Sequence, residues 1–150
     1  MNRQKIFMLV KEVMNENVIT APPEMNIVEA AKKMTESNIG SLVIVKDEKL
    51  AGLITDRDIL TKVVAKGRDI MKTALGDIMS KEVIYVKPDL DIEDAAEIMT
   101  EHSVKKLPVI DNDTLLGIIT ATDIIAAHPK IMEKIESLVI LAKKEKPIAG

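Results

Sequence analysis

The feature that most restricts the fold of this chain is an internal repeat with an offset of 65 residues. When the sequence is shifted by 65 positions, Val13–Leu60 aligns with Ile78–Ile125 without a gap, and 17 of the 48 aligned pairs are identical. An ungapped match of this length indicates that the chain encodes one structural unit twice. A unit of this size buries too little apolar surface to be stable alone. The two copies are therefore expected to pack sheet against sheet about a pseudo-two-fold axis.

Each copy has the pattern of a βαββα unit. A short extended segment, Asn17–Ala21 or Glu82–Val86, precedes a helix whose apolar residues recur at i, i+3, i+4 and i+7. Asn26 and Asp91 stand at the N-cap position of this helix, each with an acid three residues later. Two apolar strands joined by a polar turn then predict a hairpin, and a second helix follows. The predicted stripes are Ile27, Ala30, Ala31, Met34 and Ile92, Ala95, Ala96, Met99; the strands are Leu42–Val45, Leu50–Thr55, Leu107–Ile110 and Leu115–Thr120; the second helices carry Ile59, Leu60, Val63, Val64 and Ile124, Ile125.

The predicted class is α/β, with two tandem repeats and a C-terminal helix. Gly67 is expected to end the second helix of the first copy. Pro129 is expected to open a tail helix with an apolar stripe at Ile131, Ile135, Leu138 and Ala142. The predicted organisation is repeat 1 at 11–66, a linker at 67–75, repeat 2 at 76–127 and the helical tail at 128–150.

The composition argues against several classes of function. The chain has no cysteine, so disulfides and thiolate chemistry are excluded, and with only His102 and His128 a zinc site built on imidazoles is not expected. The formal charge of −3 gives no general attraction for nucleic acid or anionic lipid. We find neither a signal peptide nor an apolar run of about 20 residues, so a cytoplasmic protein is expected.

A Gly-x-x-Thr-x-x-Asp motif follows the last strand of each copy, at 52–58 and 117–123. The threonine and the acid three residues later form a capping box, which explains the motif without a ligand. The motif also suits a nucleoside, because a helix N-terminus attracts phosphate and a carboxylate can accept from two ribose hydroxyls. A glycine in front would let a ligand approach closely. Both interpretations remain open from the residues alone.

At these positions the chain resembles the CBS-domain family, named for cystathionine β-synthase. The resemblance covers about Lys11 to Ala127. It rests on Pro23 and Pro88, on the Ala-Ala helices, on the sequence Lys-Lys-Leu-Pro-Val at 105–109 and on both Gly-x-x-Thr-x-x-Asp motifs. In that family a pair of repeats forms a Bateman module with two clefts, which bind AMP, ADP, ATP or S-adenosylmethionine.

The resemblance implies a set of nucleotide-binding residues in two clefts between the repeats. Lys105 and Lys106 stand where the family often places phosphate-binding cations, although they can also be two solvated lysines. Arg57 is either a surface residue or a phosphate clamp. One cleft would combine Thr120 and Asp123 with Met14, Val18, Ile39, Gly40 and Ser41; the other would combine Thr55, Arg57 and Asp58 with Met79, Val83, Val104, Lys105 and Lys106. The copies differ at Arg57 and Thr122, and at Val43 and Pro108, so the two clefts are expected to be unequal.

These observations predict a non-catalytic regulatory module that binds an adenine nucleotide and senses energy or metabolite levels. No pairing of a nucleophile with a base is visible, so we do not predict an enzyme, a catalytic residue, a metal or a cofactor. The alternatives are a protein-interaction scaffold with unoccupied clefts and a module that binds S-adenosylmethionine. The expected partners are the nucleotide, a second copy of the chain in a homodimer of four repeats, and an unidentified regulated protein, but neither nucleic acid nor a membrane.

Overall fold

The computed structural model describes residues 8–133 of the chain. The fold is α/β, which confirms the predicted class, and the order of elements in the first copy recurs in the second except that the counterpart of β1 is only an isolated parallel bridge between Val86 and Val109. The elements are α1 (Val10–Val13), β1 (Thr20–Ala21), α2 (Ile27–Glu36), β2 (Ser41–Lys46), β3 (Lys49–Thr55), α3 (Asp56–Asp58), a π-helix (Ile59–Val64), α4 (Leu75–Ile78), α5 (Ile92–His102), β4 (Lys106–Asp111), β5 (Thr114–Thr120), α6 (Ala121–Ala127) and a 3₁₀ turn (Pro129–Ile131).

The long helix of each copy, α2 or α5, begins at the predicted cap. The Asn26 side-chain oxygen accepts a hydrogen bond from the Glu29 N–H at 2.9 Å, and the Asp91 carboxylate accepts from the Glu93 N–H at 2.8 Å. The apolar positions follow the helical period, so one face of each helix is removed from water. The buried side chains are Ile27, Ala30 and Met34 in α2, and Ile92, Ala95, Ala96 and Met99 in α5.

A two-residue turn closes the hairpin of each copy. Both central residues have positive φ: 53° at Asp47 and 65° at Glu48 in the first copy, and 48° at Asn112 and 63° at Asp113 in the second. Positive φ at both positions is the signature of a type I′ turn, whose twist matches that of the paired strands. β2 and β3 pair antiparallel, and β5 is hydrogen-bonded beside β4. Both predicted hairpins are therefore confirmed.

The described residues form two compact units, and each unit includes a short segment from the other copy. The first unit comprises residues 18–83 and 113–115, and the second comprises residues 8–17, 84–112 and 116–133. In the second unit, α1 is held by the Val10 N–H, which donates to the Leu90 carbonyl at 2.8 Å. In the first unit, the Leu75 N–H of α4 donates to the Met25 carbonyl, also at 2.8 Å. The first segment of each repeat is thus part of the unit built by the other repeat.

Each unit has its own aliphatic core, to which the exchanged segment contributes. Val10 of α1 and Leu75 of α4 are fully buried in these cores. The first core consists of Ala21, Ile27, Ala30, Met34, Leu42, Ile44, Ile54, Val63, Leu75 and Ile78, and the second of Val10, Val86, Ile92, Ala95, Ala96, Met99, Leu107, Val109, Ile119, Ala121, Ile124 and Ile131.

The helix that follows β3 differs from the predicted one. After the single turn of α3 the chain forms a π-helix, in which only Val63 is fully buried. Leu60 and Val64 are among the apolar residues predicted for this helix, but they are 61% and 59% exposed. A π-helix has more residues per turn than an α-helix, so a pattern interpreted with the α-helical period assigns the wrong residues to the inner face. The corresponding helix of the second copy, α6, is a regular α-helix.

The linker and the tail agree only partly with the prediction. Gly67 has a φ of +66°, as expected for a residue that ends a helix. Pro129 opens a 3₁₀ turn in which Ile131 is buried, and the remainder of the predicted tail helix lies outside the described residues. Within residues 8–133, no helix has the length and apolar character needed to cross a membrane.

Candidate functional site

Both Gly-x-x-Thr-x-x-Asp motifs form a reciprocal cap at the start of a helix. In the first copy the Asp58 N–H donates to the Thr55 hydroxyl at 3.1 Å, and Asp58 Oδ2 accepts from the Thr55 N–H at 2.9 Å. In the second copy the Asp123 N–H donates to the Thr120 hydroxyl at 3.0 Å, and Asp123 Oδ2 accepts from the Thr120 N–H at 3.1 Å. The capping interpretation is therefore confirmed in both copies.

The cap uses one oxygen of each carboxylate, and the two copies differ at the other oxygen. Asp58 Oδ1 lies 3.3 Å from Lys62 Nζ, which also donates to the Ile78 carbonyl at 3.1 Å. Ala127 takes the place of Lys62 in the second copy, so this cation is missing there. In the described part of the chain, Asp123 Oδ1 has no hydrogen-bond or ion-pair partner. This oxygen is therefore available to accept from a ligand hydroxyl.

The glycine of each motif is required by packing of the chain against itself. A Cβ atom at Gly117 would lie 2.8 Å from Met14 Sδ and 2.8 Å from the carbonyl oxygen of Asn15. A Cβ atom at Gly52 would lie 2.6 Å from Met79 Sδ. These distances are well inside van der Waals contact. The prediction that the glycines admit a ligand is wrong, because the first segment of the other repeat fills the space.

A backbone hydrogen bond joins the start of the hairpin to the start of the following helix in each unit. The Asp56 N–H donates to the Gly40 carbonyl at 2.9 Å, and the Ala121 N–H donates to the Lys105 carbonyl at 2.8 Å. The same contact therefore places different side chains at equivalent positions. In the first unit these are a glycine and an exposed aspartate, whereas in the second they are an exposed lysine and a buried alanine.

A cavity of about 530 Å³ lies beside the Asp56 carboxylate in the first unit. Cavities of this size are typical of sites for small molecules. Because Gly40 has no side chain, nothing at that position covers the carboxylate: a Cβ atom there would lie 3.2 Å from Asp56 Oδ2. The cavity is lined by Ala31, Met34, Thr35, Asn38, Ile39, Gly40, Asp56 and Ile59.

The predicted nucleotide-binding residues are divided between the two units. Contacts within the units bring Met14 to the motif of the second copy and Met79 to the motif of the first. Each predicted cleft draws on both units, so its complete set of residues stays a prediction. The first unit contains Val18, Ile39, Gly40, Ser41, Thr55, Arg57, Asp58, Met79 and Val83, and the second contains Met14, Val104, Lys105, Lys106, Thr120 and Asp123.

Three polar residues near these positions were not predicted as part of a site: Asn38, Asp56 and Lys62. The alignment of the two copies contains the signal for two of them. Asp56 aligns with Ala121 and Lys62 with Ala127, in a stretch where Thr and Asp are identical. The two copies thus differ in charge beside a Thr and an Asp that are identical. This difference indicates that the two motifs contact groups of different charge. Asn38 carries no comparable signal, because it aligns with another small polar residue, a serine.

The groups near the two motifs are suited to recognising a small polar ligand. They provide carboxylate acceptors, exposed cations and apolar walls. The Asp56 carboxylate is oriented in part by its own chain, since its Oδ1 accepts from the Arg57 N–H at 2.8 Å. Among residues 8–133, no group of three His, Cys, Asp or Glu side chains is arranged to hold a metal ion.

Comparison with known proteins shows similarity over most of the chain. The family model described as CBS domain matches residues 10–65 and 75–130. An uncharacterized protein of Methanopyrus kandleri is 42% identical over 130 residues, which are 85% of this chain and 66% of that protein. The inosine-5′-monophosphate dehydrogenase of Thermoplasma acidophilum is 38% identical over 130 residues, 82% of this chain but 25% of the enzyme. The chain thus spans just under two thirds of the first relative and a quarter of the second.

A solved structure also matches both the fold and the sequence. The CBS domain pair of protein MJ0100 aligns with a TM-score of 0.72 and 32% sequence identity, over 83% of this chain and 98% of that one. That pair was solved in complex with 5′-methylthioadenosine and S-adenosyl-L-methionine.

Proposed function

Because the chain belongs to the CBS-domain family, we propose that it is a regulatory module, without catalytic activity of its own, that binds AMP, ADP or ATP. Binding would report the energy or metabolite state to a protein that the module regulates. The observation that carries this proposal is the open Oδ1 atom of Asp123, held in place by the cap that its Oδ2 atom makes with Thr120. A rigid carboxylate with a free acceptor is what recognition of a ribose requires.

The surroundings of Asp123 also favour a ligand that carries phosphate. Lys105 and Lys106 are exposed at the start of β4. The hydrogen bond from the Ala121 N–H to the Lys105 carbonyl ties this part of the chain to the first residue of α6. Two cations thus lie near the helix whose first turn contains Asp123. This grouping departs from the one that the resemblance implies, in which Lys105 and Lys106 belong to the cleft of Asp58. In either grouping a carboxylate can bind the ribose and the lysines the phosphate.

Two other functions make different predictions for ligand binding. A module that binds S-adenosylmethionine is supported by the solved relative that holds this compound. A protein-interaction scaffold is supported by the capping boxes, which explain Thr and Asp without any ligand, and by the exposed apolar side chains of the first unit. The first alternative predicts selectivity for the sulfonium compound over AMP, and the second predicts no binding of either.

Thermal unfolding in the presence of AMP, ADP, ATP or S-adenosylmethionine tests the proposal. A ligand that binds only the folded state stabilises it by about 2.7 kcal/mol at 100 times its Kd. For a chain of this length each kcal/mol raises the Tm by roughly 2–4 °C. We expect a rise of several degrees with at least one of the three nucleotides, and a Tm unchanged by all three would contradict the proposal.

The ribose contact has its own test, a comparison of AMP with 2′-deoxy-AMP by calorimetry. If the carboxylate accepts from both ribose hydroxyls, the deoxy compound leaves a partly buried acceptor without one partner. The loss is about 1–3 kcal/mol, or roughly 5- to 150-fold in Kd. Equal affinity for the two compounds would contradict recognition of the ribose by Asp58 or Asp123.

We further propose that the chain acts as a cytoplasmic homodimer of four CBS repeats. The first unit carries four exposed apolar side chains on the π-helix and the linker after it: Leu60, Val64, Ile70 and Met71. One of them, Ile70, lines an apolar groove of about 470 Å³ that is formed mainly by α2 and also includes Ile59. Burial of such a surface against a second copy would remove it from water.

A further inference from the structure

We infer that Met14 and Met79 are sites of reversible oxidation, at which a peroxide converts the thioether to a sulfoxide and loosens the first segment of each repeat from the unit that it completes. This modification requires no nucleotide, so it goes beyond the proposed function. Three features of each unit support it: the position of the sulfur atom, the groups around that atom and the backbone contacts beside it.

The two methionines lie at equivalent places in the two units. Met14 is the C-cap residue of α1, and Met79 is the C-cap residue of α4. The sulfur of each packs on the glycine of a motif. A Cβ atom would lie 2.8 Å from Met14 Sδ at Gly117, and 2.6 Å from Met79 Sδ at Gly52. The same close contact between a thioether and a glycine therefore occurs in both copies.

The surroundings of each sulfur suit a thioether better than a sulfoxide. The carbonyl oxygen of Asn15 lies 2.8 Å from the Cβ position of Gly117, and it accepts from the Ile118 N–H at 2.9 Å. The carbonyl oxygen of Ser80 stands at the corresponding place in the other unit. A sulfoxide oxygen is an acceptor, so a carbonyl oxygen offers it no hydrogen bond. On the glycine side, the added oxygen would therefore meet a close contact and an acceptor.

The exposure of the methionines predicts an order of reaction with a peroxide dissolved in water. Both methionines of the pair are half-buried. Met71 and Met132 are 62% and 48% exposed, whereas Met34 and Met99 are 6% and 0% exposed. Oxidation requires access to the sulfur. We therefore expect the exposed methionines to react first, the pair on the glycines next and the two buried ones last.

The reaction with hydrogen peroxide needs no other reactant. A lone pair of Sδ attacks one peroxide oxygen, the O–O bond breaks and a sulfur–oxygen bond forms. The sulfur loses two electrons, and the departing oxygen takes up the proton of the transferred oxygen and leaves as water. The product is methionine sulfoxide, which is polar and which methionine sulfoxide reductases reduce back to methionine.

A bridge of two backbone hydrogen bonds holds the chain next to each methionine. Asn15 exchanges hydrogen bonds of 2.8 and 2.9 Å with Ile118, and Ser80 exchanges hydrogen bonds of 2.9 and 3.0 Å with Leu53. The helix on the other side of the methionine has only four residues, and a helix of one turn is not stable by itself. A side chain that no longer fits on the glycine should therefore open the adjacent bridge.

Peroxide treatment of the full chain tests the inference, with peptide mass spectrometry to locate the sulfoxides, calorimetry for the Tm and hydrogen exchange for local opening. The test variant is Met14→Leu with Met79→Leu, which keeps apolar side chains of similar volume but has no sulfur at these positions. The matched control is Met71→Leu with Met132→Leu, which removes the exposed sulfurs and keeps the pair on the glycines. The Tm of each variant before treatment shows that it is folded.

We expect peroxide to lower the Tm of the unsubstituted chain by roughly 2–12 °C, because a group that does not fit a packed contact destabilises the fold. The fall should coincide with oxidation of Met14 and Met79 and with faster exchange of the amides in residues 8–17 and 75–83. Methionine sulfoxide reductases should restore the Tm. The Tm of the test variant should fall less than half as much, whereas the control variant should respond like the unsubstituted chain.

Four results would overturn the inference. Peroxide oxidises Met71 and Met132 but neither Met14 nor Met79; sulfoxide at the pair leaves the Tm unchanged; the test variant loses as much Tm as the unsubstituted chain; or the control variant no longer responds. The last result decides the question even if the test variant does not fold. None of these measurements involves a nucleotide, so their failure is separate from failure of the proposed function.

Discussion

At the scale of single residues, the aspartate of each motif combines two roles in one carboxylate. Oδ2 of Asp123 accepts from the Thr120 N–H and completes a helix cap, which fixes the position of Oδ1. The hydrogen bond that caps the helix therefore also orients the oxygen that is open to a ligand. A substitution that preserves the cap but removes the charge separates the two.

Asp123→Asn makes this separation, because an amide oxygen can still accept from the Thr120 N–H. We expect the free energy of unfolding without ligand to change by only a few tenths of a kcal/mol, from the lost attraction to the helix dipole. The affinity for AMP should fall about tenfold, since a charge-assisted hydrogen bond is lost. Chemical denaturation and calorimetry measure the two effects.

Asp58→Asn is the matched control for Asp123→Asn. It should affect AMP binding less, because Lys62 already occupies Asp58 Oδ1 in the first unit. If Asp123→Asn lowers stability and leaves the AMP affinity unchanged, the motif of the second copy is only a helix cap.

Packing of the chain, rather than contact with a ligand, requires a glycine at position 117. An alanine at this position tests that requirement. Its Cβ atom would lie 2.8 Å from the Asn15 carbonyl oxygen, which is held by an antiparallel bridge between Asn15 and Ile118. We expect Gly117→Ala to lower the free energy of unfolding by about 1–3 kcal/mol, measured in urea.

The control for that substitution is Gly40→Ala. There the nearest atom is the exposed Asp56 carboxylate at 3.2 Å, which can move, so the change should stay within about 0.5 kcal/mol. Equal effects at Gly117 and Gly40 would mean that the close contact with Asn15 does not determine the glycine.

At the scale of secondary-structure elements, the hairpin turns carry residues that are not the best ones for their geometry. Asp47 and Glu48 both have positive φ, a conformation that disfavours side chains other than Asn, Asp and Gly. Replacing the pair by Asn and Gly, with Asp47→Asn and Glu48→Gly, should stabilise the fold by about 0.5–1 kcal/mol. The corresponding rise in Tm is roughly 1–4 °C by calorimetry.

A glycine at the adjacent position should have the opposite effect. Lys46 is the last residue of β2 and does not have positive φ, so Lys46→Gly should destabilise the hairpin. A fall in Tm for the Asn-Gly turn would show that the turn geometry is not type I′ in solution.

Elements that depend on local chemistry are the ones that the sequence predicts well. The cap at Asn26, the apolar stripes of α2 and α5 and the two-residue turns each depend on a few neighbouring residues. The π-helix is different, because its extra residue per turn leaves Leu60 and Val64 exposed although the pattern indicates burial. The ion pair between Asp58 Oδ1 and Lys62 could not be predicted either, since a lysine at i+4 permits an ion pair without requiring one.

The pattern of the repeat does not by itself determine which segment joins which unit, whereas the family resemblance groups Met14 with Asp123 and Met79 with Asp58. The segments around Met14 and Met79 align with each other in the two copies, so the pattern alone fits either segment to either hairpin. The actual arrangement, with Met14 against Gly117 and Met79 against Gly52, depends on how the chain connects the copies. The residue pattern therefore predicts the elements and the capped motifs, and only the resemblance indicates which segment meets which motif.

At the scale of the whole molecule, the exposed apolar side chains of the first unit bear on assembly. If they lie in the proposed dimer interface, light scattering at tens of micromolar should give twice the mass of the chain. Leu60→Glu with Val64→Lys places charges in the surface and should shift the protein to the monomer. A monomer for the unsubstituted chain would remove the dimer proposal.

A substitution in the other unit controls for a general effect of added charge. Tyr85 is 52% exposed and belongs to the second unit, so Tyr85→Lys should leave the mass unchanged. Dissociation by Tyr85→Lys would place the interface elsewhere.

The exchange of segments between the copies sets an order on folding during synthesis. Residues 18–83 are nearly a complete unit, so most of the first unit can close once α4 and Ser80 have left the ribosome. Asn15 is made earlier, but its partner Ile118 is made about 100 residues later. At roughly 5–20 residues per second, Val10 and Met14 spend on the order of 5–20 s without the core that buries them. The segment that contains Val10 and Met14 is thus synthesised well before the residues that bury it, and during that interval it is an apolar segment that a chaperone can hold.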